Sequence, residues 1–385
     1  MKNPQILDLY SDYLIASFNF ATATGLSELL DGALSHDQVS RFLGQSLFTQ
    51  QDYWKCVKPL VRRFEHPDGV IKIDDTILEK PHSTENEIIC WHWDHSRKPQ
   101  AGVVKGVNIL NFLYQSPLGG AASISIPVAF EIVKKTEPYF DKKSGKVKMR
   151  SPKTKNEMVR ERLRTLHHIN KVKFRYVLWD TWFSSDDSFE FVHYELKKYF
   201  VAAIKDNRLV ALSMEDKLAG KFHKVKELGA QKGEATTVWV KGLDFPVLLA
   251  KQVFTNKDGS TGELHLVTND LGLTAQATCA TYADRWGVEV FHKGLKQDVG
   301  LEQSPTKHEV TQSNHVFAAM IAWTKMELLS IKEQSSHAAL KAKLYVKALK
   351  AAYEEMQVLR ALPPKALQAA FQGLPQSMED TLLLG

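Results

Sequence analysis

The run FRYVLWD at residues 174–180 limits the fold more tightly than any other feature of the sequence. It is short and mostly apolar, and it ends in an acid, Asp180. A run of this length is typical of a strand that is buried on both faces of a sheet. The sequence therefore predicts an α/β fold, with Asp180 at the carboxyl end of a central strand.

The rest of the pattern divides the chain into five segments. Helical spacing occurs at both ends, strands and helices alternate in the middle, and a strand-rich stretch interrupts that alternation. The predicted segments are a helical N-terminal region (1–65), a first α/β part (66–199), an all-β insertion (200–275), a second part with an acidic helix (276–330) and a helical tail interrupted at Pro363-Pro364 (331–385).

Composition is that of a globular protein. The 385 residues are 44% hydrophobic and 24% charged, which is sufficient for a sizeable core. No stretch approaches ~18–20 uncharged apolar residues, and the first residues carry acids, so neither a membrane span nor a signal peptide is expected. Cysteine occurs three times at distant positions, which indicates a reducing, cytoplasmic compartment.

Positive charge is concentrated in residues 134–155, KKTEPYFDKKSGKVKMRSPKTK. Nine Lys/Arg residues stand here against Glu137 and Asp141, whereas the formal net charge of the whole chain is +6. Proline and glycine in the segment predict an exposed loop or the end of a ribbon. Two interpretations remain open: a solvated basic surface, or an arm that contacts phosphates, since clustered cations displace the counterions of nucleic acids.

Acids stand at the ends of two predicted strands and on a later helix. Asp74 and Asp75 lie in the predicted strand VIKIDDTIL, Asp180 ends the central strand, and Glu289 lies on the helix. Ligands of open α/β sheets gather at the carboxyl ends of strands, and a helix crossing that edge could bring the acids together. Converging carboxylates repel one another, whereas Mg²⁺ takes such oxygen ligands and suits phosphoryl transfer.

The predicted helix 282–296, YADRWGVEVFHKGLK, places Glu289 within a stripe of cations. At about 100° per residue, Arg285, Lys293 and Lys296 share one face with Glu289, and the apolar residues face the other side. Such a stripe is common on solvated surfaces. It also suits a site in which cations hold phosphodiester oxygens beside an acid.

The same stretch resembles a known motif. Tyr282-x2-Arg285-x3-Glu289-x6-Lys296 matches the YREK motif of bacterial insertion-sequence transposases of the IS-four type, at all four positions and all three spacings. IDDTILEK (73–80) and YVLWDTWFSSDD (176–187) resemble the regions of the first and second catalytic Asp.

The resemblance implies a DDE transposase with a ribonuclease H-like mixed sheet flanked by helices. The catalytic domain would be split between residues 66–199 and 276–330 by the all-β insertion. Two short helices within residues 1–65 fit either a helix-turn-helix-like DNA-binding unit or an ordinary helical hairpin, and both interpretations remain open. The implied reaction is cut-and-paste transposition of an insertion sequence with Mg²⁺ or Mn²⁺, expected as two ions. The implied partners are the terminal inverted repeats of the element, target DNA and a second copy in a synaptic homodimer, in bacterial cytoplasm at the nucleoid.

Carried over residue by residue, the resemblance implies two sets of site residues. Those implied for catalysis and metal binding are Asp74, Asp180 and Glu289. Those implied for DNA binding are Arg285, Lys293 and Lys296, with Tyr282 orienting the site or contacting a backbone phosphate.

The first acid has two candidates. The Asp-x-Thr pattern of the family fits Asp74-Asp75-Thr76 and favours Asp74. Strand alternation places Asp74 and Asp75 on opposite faces, so Asp75 remains the reserve.

Other functions compete with this interpretation. A transposase-derived repressor would bind DNA without cleaving it, and a non-mobile ribonuclease H-like nuclease would cleave branched DNA or RNA hybrids. Cys90, His92 and His95 in CWHWDHS resemble part of a zinc site, but structural zinc usually takes four ligands in paired spacings and no second pair is evident.

Overall fold

A mixed sheet of 11 strands forms the centre of the computed structural model, which describes residues 3–94, 102–120, 122–142, 144–228, 233–255 and 259–361. The predicted mixed α/β architecture is confirmed. The strands are β1 Val70–Glu79, β2 Ile89–Trp93, β3 Val103–Gly119, β4 Ala122–Ile132, β5 Glu137–Asp141, β6 Lys146–Arg150, β7 Tyr176–Trp179, β8 Tyr199–Ile204, β9 Leu209–Ala211, β10 His223–Lys224, β11 Ala235–Val240, β12 Val247–Thr255 and β13 Thr261–Thr268.

Helices cover the sheet and form both ends of the described chain. They are α1 Pro4–Ala16, α2 Ala23–Leu29, α3 His36–Gly44, α4 Gln50–Phe64, α5 Lys155–Arg164, α6 Asp186–Glu190, α7 Met214–Leu218, α8 Ala275–Ala283, α9 Trp286–Gln297, α10 Glu309–Glu333 and α11 His337–Ala361. Single π turns extend α5 and α6. The predicted helical N-terminal region is present, whereas the predicted break at Pro363-Pro364 lies outside the described residues. Within the described part of the chain, no helix combines the length and apolarity that a membrane crossing needs.

The central strand β7 is the one predicted from FRYVLWD. All four of its residues are buried, and it pairs in parallel with β1 on one side and with β8 on the other. Lys72 of β1 is opposite Leu178 of β7. Asp74 and Asp180 each follow two residues later, so neighbouring parallel strands carry both acids toward the same edge of the sheet.

Two predictions about secondary structure were wrong. Residues 282–296 are not one helix, because α8 ends at Ala283 and α9 begins at Trp286. The two helices pack on different partners, α8 on β12 and β13 and α9 on β1 and α10. Residues 200–275 are not all-β, since α7 and a 3-10 turn interrupt them, and β13 pairs with β8 so that their strands extend the central sheet.

The N-terminal helices are attached to the rest of the described chain through α10, which is buried along most of its length. The Asn314 side chain is fully buried. Its Nδ2 donates to the carbonyl oxygens of Leu43 and Ser46, both at 2.8 Å, and its Oδ1 accepts from the Phe48 amide at 2.8 Å. One amide thus satisfies three backbone groups in the turn between α3 and α4.

Asn314→Ala should destabilise the protein strongly, because it leaves three backbone groups of a partly buried turn without their partner. At roughly 1–3 kcal/mol for each such group, and with some relief from rearrangement, we expect the free energy of unfolding to fall by about 2–5 kcal/mol. Urea denaturation followed by circular dichroism would measure it. The exposed Asn207→Ala should stay within about 0.5 kcal/mol of wild type, and an equally small change for Asn314→Ala would contradict this role.

Candidate active site

The acids predicted from the sequence line one cleft at the edge of the sheet. Asp74 comes from β1, Asp180 follows β7, and Glu289 projects from α9, which packs across β1. The cleft has a volume of about 680 Å³. The remaining predicted residues on its wall are Arg285, Lys293 and Lys296.

Two of the three acids, Asp74 and Glu289, are close enough to bind the same metal ion. One donor atom each of Asp74, Glu289 and His292 lies within 4.8 Å of the other two. Asp180 lines the same cleft but is not a member of that close group. The geometry therefore brings together acids from segments that are more than two hundred residues apart in sequence.

Arg285 links the first and third acids. Its guanidinium Nη1 lies 3.1 Å from Oδ2 of Asp74 and 3.5 Å from Oε1 of Glu289. Arg285 is itself mostly buried, over the ring of Tyr282 at 5.6 Å from the ring centroid. The cation offsets part of the repulsion between the carboxylates and fixes α9 relative to β1.

The carboxylates remain electrostatically strained despite Arg285. Burial, followed by the charges of Asp180 and Glu289, raises the pKa of Asp74 to about 8. Burial also raises the pKa of Asp180, although the Trp182 backbone amide donates to its Oδ1 at 2.9 Å and opposes the change. Burial and like charge favour the protonated acid, so this arrangement suits a bound divalent cation, which would relieve the repulsion.

Asp75 occupies a different environment from Asp74. Its Oδ2 accepts from Lys155 Nζ at 2.7 Å and from Asn108 Nδ2 at 2.5 Å. Each acid thus has a cation, Lys155 beside Asp75 and Arg285 beside Asp74, but only Asp74 belongs to the close group with Glu289 and His292. This difference favours Asp74 as the first acid.

The remaining predicted residues differ in exposure. Tyr282 is only 7% exposed and packs beneath Arg285, a position from which it supports the guanidinium. Lys296 Nζ donates to the Ile77 carbonyl at 2.9 Å and thereby ties α9 to β1. Lys293 is exposed at the cleft wall.

The cleft contains two residues beyond the predicted site residues. His292 is buried, and its Nε2 lies 3.0 Å from Nδ2 of Asn111; its position three residues after Glu289 on one helix face was the available signal. Trp182 is 47% exposed, lines the cleft and has its ring near Lys155. Nothing in the sequence separates it from the buried Trp179.

The zinc hypothesis gains no support from the described residues. Cys90 Sγ lies 3.3 Å from His92 Nε2, but this pair belongs to no group of three or more candidate ligands within the described ranges. His95 lies outside them.

Comparison with known families agrees with the geometry of the cleft. Residues 150–325 match the family model of the transposase DDE domain. This range contains Asp180 and Glu289, whereas Asp74 lies before it. The match supports a DDE transposase, a class that acts on DNA and generally uses divalent metal ions, and the large mixed sheet with its helices is consistent with a ribonuclease H-like transposase fold. No curated protein matches the chain.

The raised pKa of Asp74 predicts a pH-dependent stability cost. The ordinary pKa is 3.8 and the folded value about 8, so the folded state holds an extra proton between these values and stability falls as the pH rises through that window. Asp74→Asn removes the titrating group. In EDTA, we expect this variant to gain roughly 1–3 kcal/mol over wild type between pH 5 and pH 8.

Thermal unfolding at both pH values, with the exposed Asp68→Asn as the control, would measure the change. The difference in unfolding free energy between variant and wild type should increase from pH 5 to pH 8 for Asp74→Asn, but not for Asp68→Asn. A gap that stays constant from pH 5 to pH 8 would show that the cleft does not perturb Asp74.

Proposed function

We propose that this protein is a transposase of the IS-four type that moves an insertion sequence by cut-and-paste transposition. The observation that carries the proposal is the convergence of Asp74, Asp180 and Glu289 on one cleft, together with the transposase DDE domain match. The YREK spacing adds a phosphate-binding pattern beside the third acid.

In the proposed site, Asp74, Asp180 and Glu289 hold two Mg²⁺ or Mn²⁺ ions. When bound, these ions would activate the attacking oxygen and stabilise the leaving oxygen in phosphoryl transfer. Arg285 keeps the first and third carboxylates together, and Asn111 holds the His292 ring beside them. Carboxylates are the main donors of the described cleft wall and no thiolate lines it, which suits these metals.

Cations on α9 position the DNA strand. Lys293 is exposed and free to contact a phosphodiester oxygen, and Lys296 keeps donors beyond the one given to Ile77. Cleavage at the element end leaves a 3′-OH, which then attacks target DNA. Both nucleophiles are oxygens of water or DNA, so the chain needs no covalent intermediate with its substrate. Residues 1–65 would bind the terminal repeats, and a homodimer would pair the two ends.

Glu289→Gln should reduce strand cleavage by a factor on the order of 10²–10³, because it removes a charged ligand from the reacting centre. The assay is incubation of the purified full chain with Mg²⁺ and a linear duplex that carries the DNA flanking the gene. Glu263→Gln, an exposed change on β13 away from the cleft, is the matched control. Full cleavage by Glu289→Gln would remove this residue from the site, and DNA binding without any cleavage by wild type would indicate a repressor.

Asp74→Asn and Asp75→Asn should separate the two candidates for the first acid. Because Asp75 is paired with Lys155 and lies outside the close group of Asp74, Glu289 and His292, we expect its substitution to cost less than about tenfold in cleavage rate. Asp74→Asn should cost on the order of 10²–10³-fold. The reverse order, measured in the same assay, would assign the first ligand to Asp75.

A further inference from the structure

The basic segment 134–155 contains a two-stranded ribbon with two chemically different faces. β5 and β6 pair with Pro138 opposite Met149 and Phe140 opposite Val147. Directly opposed residues, and residues two apart on one strand, point to the same side. These four apolar side chains therefore form one face, which we call the apolar face.

The other face of the ribbon is charged and held by its own ion pairs. Arg150 Nε lies 3.3 Å from Oε2 of Glu137, and Lys148 pairs with Asp141. Tyr139 also lies on this side, opposite Lys148. The ribbon thus keeps its shape through the charged face and leaves the apolar face to solvent.

The apolar face is strongly exposed. Phe140 is 62% exposed, Val147 69% and Met149 46%. Large exposed apolar groups that lie together usually mark a binding surface. The apolar face is not part of the core, because β5 and β6 form a sheet of their own, separate from the central one.

Charge decides which partner fits. Residues 134–155 carry nine cations against two acids, and Lys142 and Lys146 are exposed near the turn. A second copy would bring an equally basic ribbon against this one, and the two would repel. A polyanion is attracted, and among polyanions duplex DNA accepts apolar wedges between its base steps.

The ribbon leads directly to the acidic cleft. β6 is followed by Ser151, Lys153 and Lys155, which line a neighbouring cleft of about 590 Å³. Trp182 and Lys155 line both this cleft and the acidic one. DNA that reaches the carboxylates can therefore continue along this wall to the ribbon.

We infer that the β5–β6 ribbon docks in the minor groove of the DNA substrate and inserts Phe140 between base steps. This inference rests on the proposed function. Apolar wedges of this kind enter base steps from the minor groove, the exposed Lys142 and Lys146 near the turn reach the flanking phosphates, and the apolar face replaces water between partly unstacked bases. The ribbon kinks the duplex beside the cleaved position.

The test compares neighbouring residues on opposite faces of the ribbon, Phe140→Ala and Tyr139→Ala, in the full chain. The probe is a duplex of the gene-flanking DNA with a fluorophore pair at its ends to report bending and 2-aminopurine substitutions to report unstacking. We expect wild type to bend and unstack the probe. Phe140→Ala should abolish both signals and weaken binding about 5–30-fold, whereas Tyr139→Ala stays within about threefold of wild type.

Each other outcome overturns the inference. Equal binding, bending and unstacking by Phe140→Ala and wild type would show that the ribbon does not enter the groove while leaving the transposase proposal intact. Loss of self-association in sedimentation, with DNA binding unchanged, would make the apolar face a contact between copies. A wild-type chain that binds no duplex at all would defeat both this inference and the proposed function. Both residues are exposed, so thermal unfolding should show all variants folded.

Discussion

The structure of the candidate site depends on one buried cation that faces two carboxylates. Arg285 lies between Asp74 on the first strand and Glu289 on α9. Burying acids beside one another is costly unless a positive charge compensates. Arg285 supplies part of that charge, and the raised pKa of Asp74 shows that the compensation is incomplete. This remaining deficit is the physical reason to expect divalent cations in the cleft.

The cleft is assembled by the pairing of β1 with β7 and by the packing of α9 on β1. Parallel pairing of β1 with β7 brings two acids to one edge, and α9 crosses β1 with Val288, Phe291 and Leu295 buried beneath it. Helix α9 therefore packs on the core with one face and places Glu289 in the cleft with the other. Lys296, bonded to the Ile77 carbonyl, fixes the helix at its other end. Because α9 contributes both to the core and to the cleft, a change in its packing would also change the geometry of the site.

Much of this arrangement could be predicted from the sequence, for identifiable reasons. The apolar run before Asp180 has the signature of a doubly covered strand, and the spacing around Glu289 places cations on its side of the helix. The break between α8 and α9 could not be predicted, because Asp284 and Arg285 both keep helical backbone angles and the helix is interrupted by a change to hydrogen bonds between residues three apart, such as that from the Arg285 amide to the Tyr282 carbonyl. The pairing of His292 with Asn111 spans distant segments and leaves no local signal. The two faces of the basic ribbon follow from alternation only once the register of β5 and β6 is known.

In the proposed site, Asp74, Asp180 and Glu289 together hold metal beside DNA. The most direct measurement is a crystal structure of the full chain with duplex DNA and Mn²⁺, with data collected at the manganese absorption edge. We expect anomalous density between these three side chains and a phosphodiester oxygen. Manganese bound elsewhere, with the three carboxylates making no contact with it while DNA occupies the cleft, would contradict it.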